Sequence, residues 1–284
     1  MDGRYSDMHV RFLQVMIDRT VVTKKECYDI IENICKSQQV NFTRSQIRAF
    51  LTTVNSQISP FNLRLKKGKS EKDGSPSYVL VTVVSNDLNK LLVGGDFTRV
   101  DLEYFESFIE LICTGTDQDA LGFVNSIEAL NLADQVTLKI TKAAAKDLLD
   151  KLVEEKYLEE ENGLFSLSVR TILELEQYIV DHYSDVVSIC KQCSVLVLCG
   201  IGCHSCHNRF HNYCGVKYLK TYEEKNMELK CLSCHTPWSA RLVSTVKRLY
   251  GTVYDEKDRF EADSQSQGDG VISSSKSSAR KRKR

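Results

Sequence analysis

Between Cys190 and Cys234 the chain sets eight metal-binding side chains in four pairs, each pair separated by two residues: Cys190 and Cys193, Cys203 and Cys206, His211 and Cys214, Cys231 and Cys234. Two intervening residues let the backbone turn back, so that both donors of a pair reach one tetrahedral ion. Four pairs therefore supply two ions. Seven thiolates and one imidazole are a soft set, which selects zinc over magnesium or calcium, and eight protein ligands fill both coordination spheres. Closed sites of this kind are structural and hold no metal-bound water, so they do not read as hydrolytic centres. A segment this short cannot build a sufficient apolar core, and metal binding is expected to supply most of its folding energy.

Other uses of these cysteines fit less well. Disulfides suit small secreted modules, yet residues 1–16 carry scattered charges and no apolar run of signal-peptide length. An iron–sulfur cluster ordinarily takes cysteines alone, without a histidine in one of four matched pairs. Cys199, His204, His207 and His235 lie among the donors, but recruiting any of them breaks the even spacing. Cys199 is expected to be a loop thiol or small buried residue, and the three histidines to be solvated or to support the ligands from outside. Cys27, Cys35 and Cys113 sit singly in apolar helical patterns, as reduced core residues do. This usage implies a cytosolic or nuclear protein and discounts the glycosylation sequon at Asn41. No apolar run of membrane-spanning length is present, so no membrane partner is expected. With 38 basic and 38 acidic residues the chain has no global basic field, and any nucleic-acid contact must come from local patches.

Ahead of the donors, one pattern occurs twice. Val10, Leu13 and Ile17 have helical spacing; Thr23 with Glu26 forms a capping box before Tyr28, Ile31, Ile34 and Cys35; Thr43 with Gln46 repeats it before Ile47, Phe50, Leu51, Val54 and Ile58. The period then falls to two at Phe61, Leu63 and Leu65, a polar loop runs from Lys66 to Gly74, and Tyr78–Val84 is β-rich. Three helices followed by a hairpin is the winged-helix order. After a connector containing Gly94 and Gly95 come a helix with Leu102, Phe105, Ile109 and Ile112, a short one over 126–134, and a third capped by Thr141 with Ala144, Leu148, Leu149, Leu152 and Val153 inward. Asn162-Gly163 marks a tight hairpin turn, and Val169–Tyr183 is expected to be a helix that fixes the finger against this second unit. Past Trp238 the pattern weakens. Residues 255–284 are polar and serine-rich, ending in Arg280, Lys281, Arg282, Lys283 and Arg284, a candidate nuclear import signal or phosphate-binding end.

The donor order, four cysteines, a histidine, then three cysteines, resembles the RING and PHD finger superfamily with its interleaved cross-brace. That resemblance implies Cys190, Cys193, His211 and Cys214 on one zinc, and Cys203, Cys206, Cys231 and Cys234 on the other. From Met8 to about Trp238, including Glu174–Ile179 ahead of the finger, the chain is similar to the non-SMC element one family of the Smc five–six chromosome complex. The implied architecture is α+β: a first winged-helix domain (1–86), a linker (87–97), a second winged-helix domain with the helix leading to the finger (98–184), a RING-like finger (185–240) and a mostly disordered basic tail (241–284). The family further implies a nuclear, chromosome-associated ubiquitin ligase subunit in DNA repair, working with a MAGE-type partner, the other complex subunits and a ubiquitin-conjugating enzyme.

At the docking positions of RING ligases the chain departs from the pattern. Gln192 stands where an aliphatic residue usually precedes the second ligand, Leu232 where proline commonly follows the seventh, and His235 where an arginine often follows the eighth. Leu196, Leu198, Leu232 and Trp238 are candidates for an apolar docking surface; the competing expectation is that they pack the finger on the helical domain. The gap from Cys206 to His211 is closer to PHD spacing, but Leu229 replaces the aromatic residue a histone reader carries there. Arg44, Arg48, Lys66, Lys67, Lys69 and Lys72 are candidates for weak DNA contact by the first unit, diluted by Glu71 and Asp73, whereas Glu159–Glu161 makes the second hairpin repel DNA and favour protein. A non-catalytic, zinc-stabilised interaction scaffold is the competing functional class.

Overall fold

The computed structural model describes residues 5–83, 88, 97–115, 122–225 and 227–253. The first unit runs α1 (Asp7–Arg19), β1 (Val21–Thr23), α2 (Lys24–Ser37), α3 (Ile47–Ile58), β2 (Leu63–Lys69) and β3 (Pro76–Thr82), with an antiparallel sheet in the order β1-β3-β2. Thr23 starts α2 as its spacing requires: its hydroxyl accepts from the Glu26 amide at 3.2 Å, and the Glu26 carboxylate accepts from the Thr23 amide at 2.8 Å. A 3-10 turn over Arg44–Gln46 precedes α3. The inward face of α1 is not the expected one. Val10 and Ile17 are 36% and 60% exposed, while Met8, Phe12 and Met16 are buried. The two stripes lie side by side on the helix, and the bulkier one fills the core against Ile31, Phe50 and Val54. Phe61 sits at 75% exposure in a 3-10 turn begun by Ser59 and Pro60, so the alternation starts at Leu63.

The second unit repeats the order with α4 (Arg99–Thr114), β4 (Val124–Asn125), α5 (Ser126–Asn131), α6 (Lys142–Glu154), β5 (Leu158–Glu161) and β6 (Leu164–Leu167), its sheet ordered β4-β6-β5. Asn162 and Gly163 both have positive φ, 54° and 78°, the left-handed pair a two-residue hairpin needs. In α6 it is Ala145, not Ala144, that is buried. The expected connector falls almost entirely outside the described residues. Helix α7 (Val169–Tyr183) then crosses back to the first unit. Val169 packs on Val79 and Val81, Lys66 Nζ donates to the Leu173 carbonyl at 3.0 Å, and the Thr82 amide donates to Glu174 at 3.3 Å. The first hairpin therefore lies against the first half of α7.

The finger holds β7 (Ser188–Ile189), β8 (Leu196–Val197), β9 (Gly200–Gly202), β10 (Arg209–His211), α8 (Asn212–Glu224) and α9 (Ala240–Val253). Helix α9 corrects the expectation that the chain loses structure just past Trp238. Leu242, Val243, Val246 and Leu249 recur at helical spacing and pack with Trp238, Val216 and Leu219, and Lys247 pairs with Glu223 at 2.7 Å. Residues 254–284, with Arg280, Lys281, Arg282, Lys283 and Arg284, lie outside the described residues. Among the described residues no helix is long and apolar enough to cross a membrane.

Candidate metal centres

Three of the four pairs form one and the same turn. After Cys193, Cys206 and Cys234 stand Ser194, His207 and His235, each left-handed with φ of 59°, 56° and 59°. Their amides donate back to the carbonyls of Cys190, Cys203 and Cys231 at 2.7, 2.9 and 2.9 Å. The amides of Cys190, Cys203 and Cys231 in turn donate to Val195, Asn208 and Thr236, each at 2.9 Å. This closed turn aims both thiols of a pair to one side. The fourth pair is built differently: His211 caps α8 and Cys214 follows three residues on, so the two donors share one helical face.

The chain crosses these pairs over. Cys190, Cys193, His211 and Cys214 bring their donor atoms within 4.8 Å of one another, and Cys203, Cys206, Cys231 and Cys234 do the same. First and third pairs thus share one centre, second and fourth the other. A tetrahedral ion with Zn–S of about 2.3 Å needs sulfurs about 3.8 Å apart. Cys203 to Cys234 and Cys206 to Cys231 measure 3.7 Å, and His211 Nδ1 lies 3.3 Å from Cys193 and 3.9 Å from Cys214. Soft donors at these separations fit two zinc ions, held by these eight residues. Zinc bound there would supply folding energy and lock the crossed connections, with thiol protons released on binding.

His204, His207 and His235 are exposed and join neither centre; His207 and His235 serve the turns instead. Cys199 is buried, its thiol donating to the Gly122 carbonyl at 3.2 Å. Burial pushes the thiols of Cys27 and Cys113 up to about 12, and burial with the nearby Glu71 carboxylate raises Cys199 further, so none of the three is poised as a nucleophile.

Glu71 is a residue that sequence reasoning misplaced. It was expected to dilute a basic hairpin, yet it enters the finger almost fully buried, accepting from the Leu198 amide at 2.7 Å and the Cys199 amide at 3.2 Å. Its burial, partly offset by the Leu198 amide and His211, raises its carboxyl above the ordinary range. Gly74 at the same hairpin tip lies flat on the Tyr213 ring, where a Cβ would come within 2.6 Å of the ring. No local sequence signal marks either contact, because both partners are remote in the chain.

The docking candidates divide. Leu196 and Leu198 are 0% and 4% exposed and belong to the core of the second unit, so they pack the finger down rather than face a partner. Trp238 is 8% exposed and sits among Phe210, Tyr218 and Val246. Leu232 is half-buried and lines a groove of about 360 Å³ with Tyr218, Tyr222, Met227 and His235. Among the described residues, Val186, Ile189, Val195 and Met227 are large apolar side chains open to solvent near the pairs. The cations are engaged within the fold: Lys66 with Leu173, Lys69 over the Tyr213 ring at 5.4 Å, Lys72 with Glu161, and Arg44 over the Tyr28 ring at 5.4 Å. Arg48 and Lys67 also have partners.

The described residues thus form two helix-and-hairpin units of the same order, followed by a cysteine-rich finger whose eight donors gather into two clusters. The family model described as the Nse1 non-SMC component of SMC5-6 complex matches residues 9–175, more than half of the chain. The chain belongs to this Nse1 family. A human relative, non-structural maintenance of chromosomes element 1 homolog, is 32% identical over 281 residues, covering 99% of this chain and 96% of the relative, and therefore carries through the finger. The bovine homolog of that name is 34% identical over 237 residues, 83% of this chain and 85% of the relative. A solved structure titled Nse1-Nse3-Nse4 complex matches with a TM-score of 0.74 and 31% identity, over 84% of this chain and 98% of the matched one.

Proposed function

We propose that this chain is a RING-type ubiquitin ligase subunit of the SMC5-6 complex, acting in DNA repair and chromosome maintenance, and dependent on a MAGE-type partner. The crossing of the two donor sets carries this reading, because a cross-brace holds two loops and the helix between them as one rigid platform. On that platform a conjugating enzyme charged with ubiquitin would be docked. The amine of a substrate lysine attacks the thioester carbonyl, and the leaving thiolate belongs to the conjugating enzyme. This chain contributes orientation alone, which agrees with the buried, raised thiols of Cys27, Cys35, Cys113 and Cys199 outside the two centres. The docking residues we assign are Val195, Ile189, Leu232 and Met227, since Leu196, Leu198 and Trp238 are committed to packing.

The two repeated units read as winged helices that grip the MAGE-type subunit, a reading supported by the match to a chain of an Nse1-Nse3-Nse4 complex. Because the first hairpin is seated on α7 and its cations have partners inside the chain, direct DNA contact is no part of the proposal. Nuclear location, with Arg280, Lys281, Arg282, Lys283 and Arg284 as import signal, completes it. The competing reading, a zinc-stabilised scaffold without catalysis, is favoured by the exposed Gln192 and His235 at positions where docking groups are expected.

Ubiquitin discharge from a charged conjugating enzyme separates them, comparing this chain alone with its complex at a confirmed two zincs per chain. Acceleration is expected only in the complex. No acceleration with a broad panel of conjugating enzymes in either state would establish the scaffold.

A further inference from the structure

His211 presents its two ring nitrogens to different worlds. Nδ1 faces the sulfurs of Cys193 and Cys214. Nε2 lies on the far side, 2.9 Å from the Leu196 carbonyl and 3.5 Å from Glu71 Oε1. A neutral histidine that binds metal through Nδ1 carries its proton on Nε2, and what surrounds that proton fixes tautomer and ring angle. Here the Leu196 carbonyl is placed to accept it, while the Glu71 carboxylate stands beside it as a charge and holds the Leu198 and Cys199 amides of the segment that carries that carbonyl. Glu71 is supplied by the first unit, 127 positions ahead of the Leu198 amide it also holds. We propose that Glu71 is a positioning residue for the His211 metal centre, and that the first hairpin tip is thereby a built-in part of the finger.

Several contacts seat the tip for this task. Gly74 lies against Tyr213, Lys69 stands over the same ring, and Tyr213 stacks on His211 with centroids 4.8 Å apart and planes 18° from parallel. The imidazole is thus held on its face by Tyr213 and at its edge by the Leu196 carbonyl, with the Glu71 carboxylate beside that edge and bonded to the next turn of the same segment. Lys72, next to Glu71, pairs with Glu161 of the second hairpin, so both units meet where the centre is aligned. The inference rests on the two-metal reading and is independent of ligase activity.

The decisive measurement is zinc release to a chromogenic chelator from the full chain, in wild type, E71Q, H211C and E71Q/H211C. E71Q keeps the size of the side chain but turns a donor toward amides that need an acceptor. In E71Q one zinc per chain should bind about 10–100-fold more weakly, the usual cost of losing such a support, with the other unchanged. In the H211C background, where no imidazole remains to be oriented, the same substitution should change neither zinc. Equal weakening of both zincs, no weakening, or the same effect with and without His211 would overturn the proposal, the last because it assigns Glu71 to the Leu198–Cys199 turn alone. Nitrogen NMR of the zinc-loaded wild type and E71D covers the case in which E71Q does not fold: His211 should bind through Nδ1 in both, with the Nε2 proton exchanging faster once the shorter side chain withdraws the carboxylate. Coordination through Nε2 or equal exchange in the two proteins would overturn the proposal. Fewer than two zincs in the wild type would remove the metal reading itself and the proposal with it.

Discussion

The His211 centre is enclosed by all three parts of the chain, whereas the all-cysteine centre rests on the finger alone. Cys190, His211 and Cys214 are 0%, 1% and 4% exposed, the adjoining Leu196 and Leu198 are built into the core of the second unit, and Glu71 arrives from the first. In the all-cysteine centre Cys203 and Cys231 are also buried, at 3% and 1%, but Cys206 and Cys234 are both half-buried where the first centre has one such ligand, Cys193, and the packing behind them comes from Phe210, α8, α9 and Trp238. Two centres made of nearly the same donors therefore differ in what holds them. The first is expected to be coupled to the global fold, and the second to open in more local motions.

Removing one ligand from each centre is the most severe way to break this contrast, since structural zinc contributes about 10–16 kcal/mol of apparent binding energy in isolated fingers. Cys190→Ser is expected to loosen α4 and α7 along with the finger, and Cys203→Ser to loosen α8, α9 and the last pair only. Hydrogen exchange by mass spectrometry reads both, and equal loosening of α4 and α7 in the two variants would refute the comparison. Core truncation gives a smaller effect of the same kind. Leu198→Ala should cost ~2–5 kcal/mol in the unfolding of the second unit, and Trp238→Ala ~3–5 kcal/mol confined to the finger, both visible in denaturant titration. Below these lies the order of metal loss. Under chelator the all-cysteine zinc should leave first, at least about tenfold faster, which corresponds to ~1.4 kcal/mol. A single release phase for both ions would mean that the finger opens as one.

What the sequence revealed, and what it hid, follows the same division between local and remote contacts. The capping box at Thr23, the Asn162-Gly163 turn and the donor pairs were legible because each interaction closes within a few residues. The spacing of donors also fixed which side chains could share an ion once the crossed order was assumed. The direction of Leu196 and Leu198 was not legible: two leucines beside a metal pair look alike whether they face a partner or a neighbouring unit. The burial of Met8, Phe12 and Met16 in place of Val10 and Ile17 turned on which of two adjacent stripes fills the available volume. Helix α9 did carry a readable stripe, Leu242, Val243, Val246 and Leu249, masked by the polar residues that follow it. Glu71 offered nothing to read, because an acidic residue in a lysine-rich turn is ordinarily solvated and its partners lie in the finger.

The mildest test asks how far the coupling of the His211 centre extends. Thr23 caps α2 far from both centres, and the Thr23 amide and hydroxyl hold the Glu26 carboxyl below its usual range. A depressed carboxyl contributes stability that is complete above the ordinary carboxylate range and is lost as pH falls through its lowered value. Thr23→Ala should cost ~1 kcal/mol near neutral pH, and less under acid conditions where Glu26 is protonated. The size of the resulting shift in melting temperature reports the size of the unit that melts. A first unit unfolding alone would fall by about 4–8 °C, whereas one cooperative body of roughly 150–250 residues would fall by about 2–4 °C. The seating of β2 and β3 on α7, with Lys66 held by Leu173, favours the smaller shift. The larger one, measured by calorimetry at matched zinc content, would mean that the first unit melts away from a finger that keeps its ions, and would confine the coupling to the hairpin tip.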